Sequence, residues 1–143
     1  MNKCYMCQQL TKNKNVIYED ERVKAFLSKE QVTHGRTIII YKKHKTQFTK
    51  LSEKERNKLM NSVVKIAKLL EKKLKPDRIN YLLLNNYHKH LHWHLLPRYK
   101  NEDKDDFFFK TGLEPCHLGK EIKNRYKTSS KKLKELAKKI QKA

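Results

Sequence analysis

The chain has 143 residues, with 35 lysine or arginine residues against 15 acidic ones and a formal net charge of +20. This length suits one domain with a proper core and is too short for two comfortable domains. No apolar run approaches the ~18 residues of a membrane span, and the polar start lacks the apolar segment of a signal peptide. We therefore expect a cytoplasmic protein without a membrane partner.

The lysines are scattered along the whole chain, with one concentration at its end. Their excess fits a general lysine bias as well as it fits a polyanionic partner, and in either case anionic ligands are attracted. Three cysteines in a cytoplasmic protein argue against a disulfide framework. Cys4 and Cys7 form a C-x-x-C motif, which predicts either a redox dithiol or half of a zinc site. The setting does not resemble a thioredoxin motif and histidines are available elsewhere, so we favour zinc.

A hairpin is predicted near the start of the chain, where Asn15–Glu19 and Arg22–Leu27 form two short strands joined by an acidic turn. After Gly35, the β-branched run Thr37–Tyr41 predicts a buried third strand. His44 follows shortly after the end of that strand.

A long helix is predicted to begin after Ser52, because Ser52 and Glu55 have the spacing of a capping box. Apolar residues then recur at intervals of three and four and form one stripe, made of Leu59, Val63, Ile66, Leu70 and Leu74. Pro76 lies beyond the end of the helix. Packing on a sheet explains the stripe better than binding of a partner.

The apolar run Ile79–Leu84 predicts a central strand covered on both faces, and Asn85–Tyr87 predicts a turn. The following stretch, His90–Tyr99, alternates histidine with large apolar residues, which is typical of a half-buried strand. We expect the two strands to pair antiparallel.

The alternating stretch places His90, His92 and His94 on one face, about 6.6 Å apart along the strand. The opposite face carries Leu91, Trp93 and Leu95. Histidine clusters mark metal or catalytic sites, although histidines also occur as incidental surface residues. An apolar anchoring face behind three imidazoles favours a functional site.

The C-terminal part contains Phe107–Phe109, which we interpret as a core edge or a subunit contact. From Ser129 onward, Leu133, Leu136 and Ile140 lie on one helical face among many lysines. This basic amphipathic helix is either a terminal helix docked by its apolar stripe or a contact surface for an anionic polymer or a membrane surface.

Together these residues resemble the histidine-triad (HIT) superfamily. The resemblance covers roughly residues 4 to 110 and rests on the triad block with its continuation, on the segment leading to His44 and on the second strand: His90–Leu96, Pro97–Tyr99, Gly35–His44 and Val23–Leu27. It implies an α+β fold with a five-stranded antiparallel sheet, one long helix and a basic C-terminal helix. On this basis, residues 1–115 form the HIT domain and residues 116–143 a basic C-terminal extension.

The resemblance also implies an enzyme that hydrolyses or transfers nucleotidyl groups and acts as a homodimer. Its substrates would be dinucleoside polyphosphates or nucleoside phosphoramidates. A nucleotidyl-histidine intermediate would form on His92, while His94 and Asn86 would bind phosphate oxygens. The nucleotide would contact Phe26, Leu27, Ser28, Asn86 and His94. The chain departs from the family pattern at Ser28, where an acidic residue is usual, at Arg36, where histidine is usual, and at Tyr41, where proline is usual.

In the zinc-bearing branches of the superfamily, a C-x-x-C motif joins two histidines around a structural zinc. The matching positions here are Cys4, Cys7, His44 and His90. Cys116 with His117 is a rival ligand pair. An alternative function is a non-catalytic nucleotide- or nucleic-acid-binding protein that uses the basic surface of its tail.

Overall fold

The computed structural model describes residues 4–100 and 128–141. Strands β1 to β5 span Val16–Glu19, Val23–Leu27, Thr37–Tyr41, Arg78–Leu82 and His92–Arg98. Helices α1, α2 and α3 span Tyr5–Lys12, Glu53–Leu74 and Ser130–Gln141, and a short 3₁₀ turn spans Phe48–Lys50. None of the helices in the described part of the chain is both long and apolar enough to cross a bilayer.

The five strands form one antiparallel sheet in the order β1-β2-β3-β5-β4. The predicted α+β class, the opening hairpin and the pairing of β4 with β5 are therefore confirmed. The prediction that β4 is a central strand was wrong, because β5 inserts between β3 and β4 and leaves β4 at the edge. Tyr81 of this edge strand is accordingly 49% exposed. The sequence did not predict the edge position because an unbroken apolar run does not reveal which strands flank it.

The two faces of the sheet have different neighbours, because successive side chains of each strand alternate between them. One face packs into the main core, where β2 contributes Ala25 and Leu27 and β5 contributes Trp93 and Leu95. The apolar stripe of α2 covers this face as predicted, with Leu59, Val63, Ile66 and Leu70 fully buried. The opposite face carries Phe26, Ile38 and Ile40, against which Met6 of α1 packs.

Helix α2 begins with the predicted capping box. The Ser52 hydroxyl accepts the Glu55 N–H at 3.2 Å, and the Glu55 carboxylate accepts the Ser52 N–H at 3.1 Å. The helix ends at Leu74 and is capped by Lys75, which has the left-handed φ of 49° that closes many helices. Helix α1 was not predicted, because its N-cap Cys4 provides no side-chain cap and its short sequence lacks a clear apolar period.

Helix α3 packs its apolar stripe into the main core through Leu133, Ala137 and Ile140, all buried. Its lysines, such as Lys131 and Lys138, are exposed. This packing is the docked arrangement among the alternatives for the C-terminal helix. Phe107–Phe109, Cys116 and His117 lie outside the described residues.

The turn of the first hairpin is held by Asp20. One carboxylate oxygen accepts the N–H groups of Arg22 and Val23 at 2.7 and 2.9 Å, and the other accepts the Ser62 hydroxyl of α2 at 2.6 Å. Partial burial by itself raises the pKa of Asp20, but these hydrogen bonds outweigh it and leave that pKa below its ordinary value. Asp20 therefore fastens the hairpin to the long helix.

Replacing Ser62 with alanine should lower the free energy of unfolding by about 1.5–3 kcal/mol near neutral pH, because a charged acceptor loses a buried donor. The folded pKa of Asp20 lies below the unfolded one. The stabilisation is thus present above the unfolded value of about 3.9 and is lost as the pH falls through the folded pKa. Urea unfolding at about pH 7 and about pH 3 measures both effects.

The matched control is Asn61→Ala, at the exposed preceding position of α2, where a change within about 0.5 kcal/mol is expected. Equal losses for Ser62→Ala and Asn61→Ala would contradict the role given to the Asp20 contact.

Candidate active site and metal site

A pocket of about 300 Å³ opens on the α1 face of the sheet. It lies between α1, the end of β2 with the loop that follows, and the histidine strand. The predicted nucleotide-binding residues Phe26 and Ser28 line this pocket, together with the predicted catalytic residues His92 and His94. The described residues thus bring most of the predicted site into one cavity.

Two predicted site residues lie elsewhere. Leu27 is fully buried in the main core, because it follows Phe26 in β2 and so points to the opposite face of the sheet. Leu27 is therefore a core residue behind the pocket and not the side-chain contact to a nucleotide that was predicted. Asn86 is exposed in the turn before the histidine strand and is not among the described residues that line the pocket. Its phosphate contact stays a prediction.

The His92 ring has one nitrogen committed to the backbone. Its Nδ1 lies 2.6 Å from the carbonyl oxygen of His90, and a carbonyl oxygen only accepts. Nδ1 therefore carries a proton, and in the neutral ring the lone pair is on Nε2. Because the buried His92 ring also lines the pocket, Nε2 is the nitrogen available to a bound molecule.

The His94 ring has the opposite arrangement. Its Nδ1 lies 3.1 Å from Nη2 of Arg36, and a guanidinium only donates, so Nδ1 accepts and Nε2 carries the proton. Burial, together with the Arg36 charge and the neighbouring His92 and His88, lowers the pKa of His94 to about 2. His94 is thus a neutral donor whose buried Nε2 has no hydrogen-bond partner among the described residues.

Arg36 is placed by the loop between β2 and β3. Its Nη1 donates to the Glu30 carbonyl oxygen at 3.0 Å, and the Glu30 carboxylate lies 3.7 Å from the same nitrogen. The buried Gln31 amide closes the loop by donating to the carbonyl oxygens of Ser28 and Arg36 at 2.8 and 2.9 Å. Gly35 has a φ of 88°, and a Cβ there would overlap the Leu74 side chain. The left-handed φ favours glycine at this position, whereas the Leu74 side-chain end could shift.

Sequence reasoning missed Arg36, Ile38 and His88 as pocket residues. Ile38 pairs with both Phe26 and His94 across the sheet, so the register of three strands was the signal needed to find it. His88 directly follows the turn predicted at Asn85–Tyr87, and nothing in a turn motif tells where the side chains beside it point.

The four predicted metal ligands meet at the N-terminal end of α1. Cys4 and Cys7 are one helical turn apart, and the ligand atoms of Cys4, Cys7, His44 and His90 all lie within 4.8 Å of one another. Nδ1 of His90 is 3.4 Å from each sulfur and 3.2 Å from Nδ1 of His44. The ligand atoms of a tetrahedral zinc, each ~2.0–2.3 Å from the ion, lie roughly 3.3–3.8 Å apart.

The donor chemistry of this cluster also suits zinc. Nε2 of His90 donates to the Tyr41 carbonyl oxygen at 2.7 Å, so its Nδ1 presents a lone pair to the cluster. Burial lowers the pKa of His90, which favours the neutral imidazole that a metal requires. Two cysteine sulfurs and two imidazoles form a closed structural set with no position left for water.

Known proteins share the domain and the fold of this chain. The chain matches the HIT domain over residues 9–101. The Bacillus subtilis protein called Protein hit is 35% identical over 101 residues, which cover 66% of this chain and 69% of that protein.

Two solved structures share the fold. A hypothetical histidine triad nucleotide-binding protein from Sulfolobus tokodaii has a TM-score of 0.73 at 23% identity, over 97% of this chain and 90% of that one. A zinc-bound histidine triad family protein from Mycobacterium smegmatis has a TM-score of 0.64 at 22% identity, over 98% and 96%. With the domain match extending over more than half of its length, this chain belongs to the HIT domain family.

Proposed function

We propose that the protein hydrolyses or transfers nucleotidyl groups, with His92 as the nucleophile. The observation that carries the proposal is the 2.6 Å contact between Nδ1 of His92 and the His90 carbonyl oxygen. An imidazole held in this tautomer attacks without a separate base, because Nε2 already has a free lone pair. The proposed substrates are dinucleoside polyphosphates and nucleoside phosphoramidates.

The proposed reaction has two displacements at phosphorus. Nε2 of His92 forms a bond to phosphorus, and the bond from phosphorus to the leaving group breaks with its electron pair on the leaving group. Water or another acceptor then attacks phosphorus, the phosphorus–nitrogen bond breaks, and the imidazole is restored. The acceptor's proton passes to solvent, while the leaving group takes up the proton it needs from solvent.

His94 is proposed to bind a phosphate oxygen or the leaving atom. Its Nε2–H is a preformed donor without a described partner, and a fixed donor stabilises charge that develops in the transition state. Arg36 keeps His94 in this tautomer and adds a buried positive charge beside it. Phe26 and Ile38 would pack against the nucleoside, with Ser28 near its sugar.

A zinc ion is proposed as a structural group held by Cys4, Cys7, His44 and His90. When bound, it supplies a crosslink between α1 and the start of the histidine strand. His90 would then be fixed through its ring, and its carbonyl oxygen would stay at hydrogen-bonding distance from Nδ1 of His92, which sets the His92 tautomer. Thiolate ligands suit a reducing compartment, in line with the expected cytoplasmic location.

A second candidate function follows from α3, whose lysines remain exposed while its apolar stripe is buried. This surface suits weak, salt-dependent contact with nucleic acid. A homodimer, as the family resemblance implies, is compatible with either function. Turnover of a small substrate separates an enzyme from a binding protein.

Replacing His92 with asparagine should lower turnover by at least about 1,000-fold, because it removes the nucleophile. The measurement is product formation from a panel of nucleoside phosphoramidates and dinucleoside polyphosphates. Intact mass after rapid quenching should show one added nucleotidyl group on the wild type and none on the variant.

His34→Asn is the control, since His34 is exposed and lies outside the pocket. If a folded His92→Asn protein kept more than a few per cent of the wild-type activity, His92 would not be the nucleophile, because losing a nucleophile lowers turnover much further. A wild type that binds nucleotides but turns over no member of the panel would favour the binding protein.

Elemental analysis of protein purified without a histidine tag should find about one zinc per chain, as expected for a closed four-ligand site. Cys7→Ser should lose most of the metal and lower thermal stability, because a ligand is removed. Cys116→Ser tests the rival ligand pair and should keep its zinc. A stable, active wild type without metal would refute the zinc proposal.

Replacing Arg36 with methionine should allow either ring nitrogen of His94 to carry the proton. It should also raise the pKa of His94, because one positive charge that lowers this pKa is removed. Nitrogen NMR of labelled histidine should show a neutral Nε2–H form in the wild type between about pH 5 and 8. We expect kcat to fall about 10- to 100-fold with a smaller change in KM, since the affected donor acts in the transition state.

Arg36→Lys keeps a donor-only cation and should restore part of the rate and the Nε2–H signal. An unchanged His94 tautomer in Arg36→Met, or an Nδ1–H form in the wild type, would contradict this positioning role.

A further inference from the structure

Three aromatic rings form a cluster beside the nucleophile. The rings of Tyr5 and His88 stack nearly parallel, with centroids 4.7 Å apart and an angle of 17° between their planes. Tyr87 packs its ring against His88 edge to face at 4.8 Å. His88 is outside the alternating histidine stretch, and its ring centroid lies 6.4 Å from that of His92.

The cluster and the apolar side chains line the same pocket but come from different elements. Phe26 and Ile38 are level with His94, because Ile38 pairs with both of them across the sheet. His88 precedes His92 in the chain, and both His88 and Tyr5 line the pocket. A phosphorus atom at His92 would thus meet two distinct surfaces, apolar side chains from the sheet and stacked rings from α1 and the turn region.

The position of His88 is set by the backbone of its turn. Asn85 has a left-handed φ of 52°, and its side-chain oxygen accepts the His90 N–H at 3.1 Å. The same N–H also approaches the His88 carbonyl oxygen at 2.8 Å. The turn therefore holds the His88 ring next to α1, where Tyr5 covers it.

Tyr5 is still 51% exposed after stacking on His88, and Tyr87 is 66% exposed. A tyrosine that served only to cover His88 would gain more by burying both of its faces. Two of the four large hydrophobic side chains that the described residues leave exposed flank this one histidine. The open surface of the stack can extend by one more planar group.

We propose that Tyr5 and His88 form an aromatic subsite that stacks on a planar leaving group. Two sources share this chemistry: the aromatic amine of a nucleoside phosphoramidate and the second nucleobase of a dinucleoside polyphosphate. The inference rests on the proposed function, because it assigns the leaving-group side of the His92 reaction. It adds a substrate preference that the apolar side of the pocket does not provide.

The test measures binding by calorimetry to a His92→Asn background, in which turnover is blocked. The ligands are adenosine 5′-monophosphate, its methylamine and phenethylamine phosphoramidates, and diadenosine triphosphate. The phenethylamine compound should bind at least about fivefold more tightly than the methylamine compound, as expected for one stacked ring. Diadenosine triphosphate shows whether a second nucleobase obtains the same gain.

Added to that background, Tyr5→Ala and His88→Ala should each abolish the gain for the ring, so that the phenethylamine and methylamine compounds bind with about the same dissociation constant. Tyr5→Phe should keep the gain, because it preserves the ring. Tyr81→Ala is the matched control, a tyrosine of similar exposure on the edge strand β4, and should have no effect.

Equal binding of the two phosphoramidates, together with no gain for diadenosine triphosphate, would overturn the subsite while leaving the proposed function intact. So would a Tyr5→Ala change that weakens all ligands equally, since this indicates a purely structural role. Failure of all four ligands to bind would refute the proposed function and the subsite together. A gain confined to diadenosine triphosphate would support the subsite with a nucleobase as its occupant.

Discussion

The candidate site depends on the alternation of strand β5. Trp93 and Leu95 anchor the strand in the main core, and this burial commits His92 and His94 to the opposite face. A slip of one residue in register would exchange the two faces and bury imidazoles beneath α2. Because such a slip would expose two large apolar side chains, the core that stabilises the protein also determines where the histidines lie.

Each histidine in this strand region has a different role because a different partner binds one of its nitrogens. The Tyr41 carbonyl oxygen accepts the Nε2–H of His90 and leaves a lone pair on Nδ1 toward the proposed metal site. The His90 carbonyl oxygen accepts the Nδ1–H of His92 and leaves the lone pair on Nε2. The Arg36 guanidinium donates to His94 and leaves Nε2–H as a donor. Three chemically identical side chains are thus suited to the proposed roles of a ligand, a nucleophile and a donor.

The larger part of the fold followed from local patterns. The capping box at Ser52 placed the start of α2, the β-branched run placed β3, and the alternating histidines placed β5. Helix α1 was missed because eight residues without a capping side chain carry little local signal. The edge position of β4 was missed because the order of strands depends on which segments pair after the chain has turned back.

The sequence by itself determined which side chains share a face of each strand or helix, because those periods are properties of the backbone. Four predicted ligands from three distant segments were matched through the family resemblance, and only the folded chain brought their side-chain atoms within 4.8 Å of one another. Tertiary structure alone decided that Arg36 meets His94 and that Tyr5 stacks on His88. Such contacts join residues far apart in the chain, and the strand order and loop closure that create them leave no local pattern in the sequence.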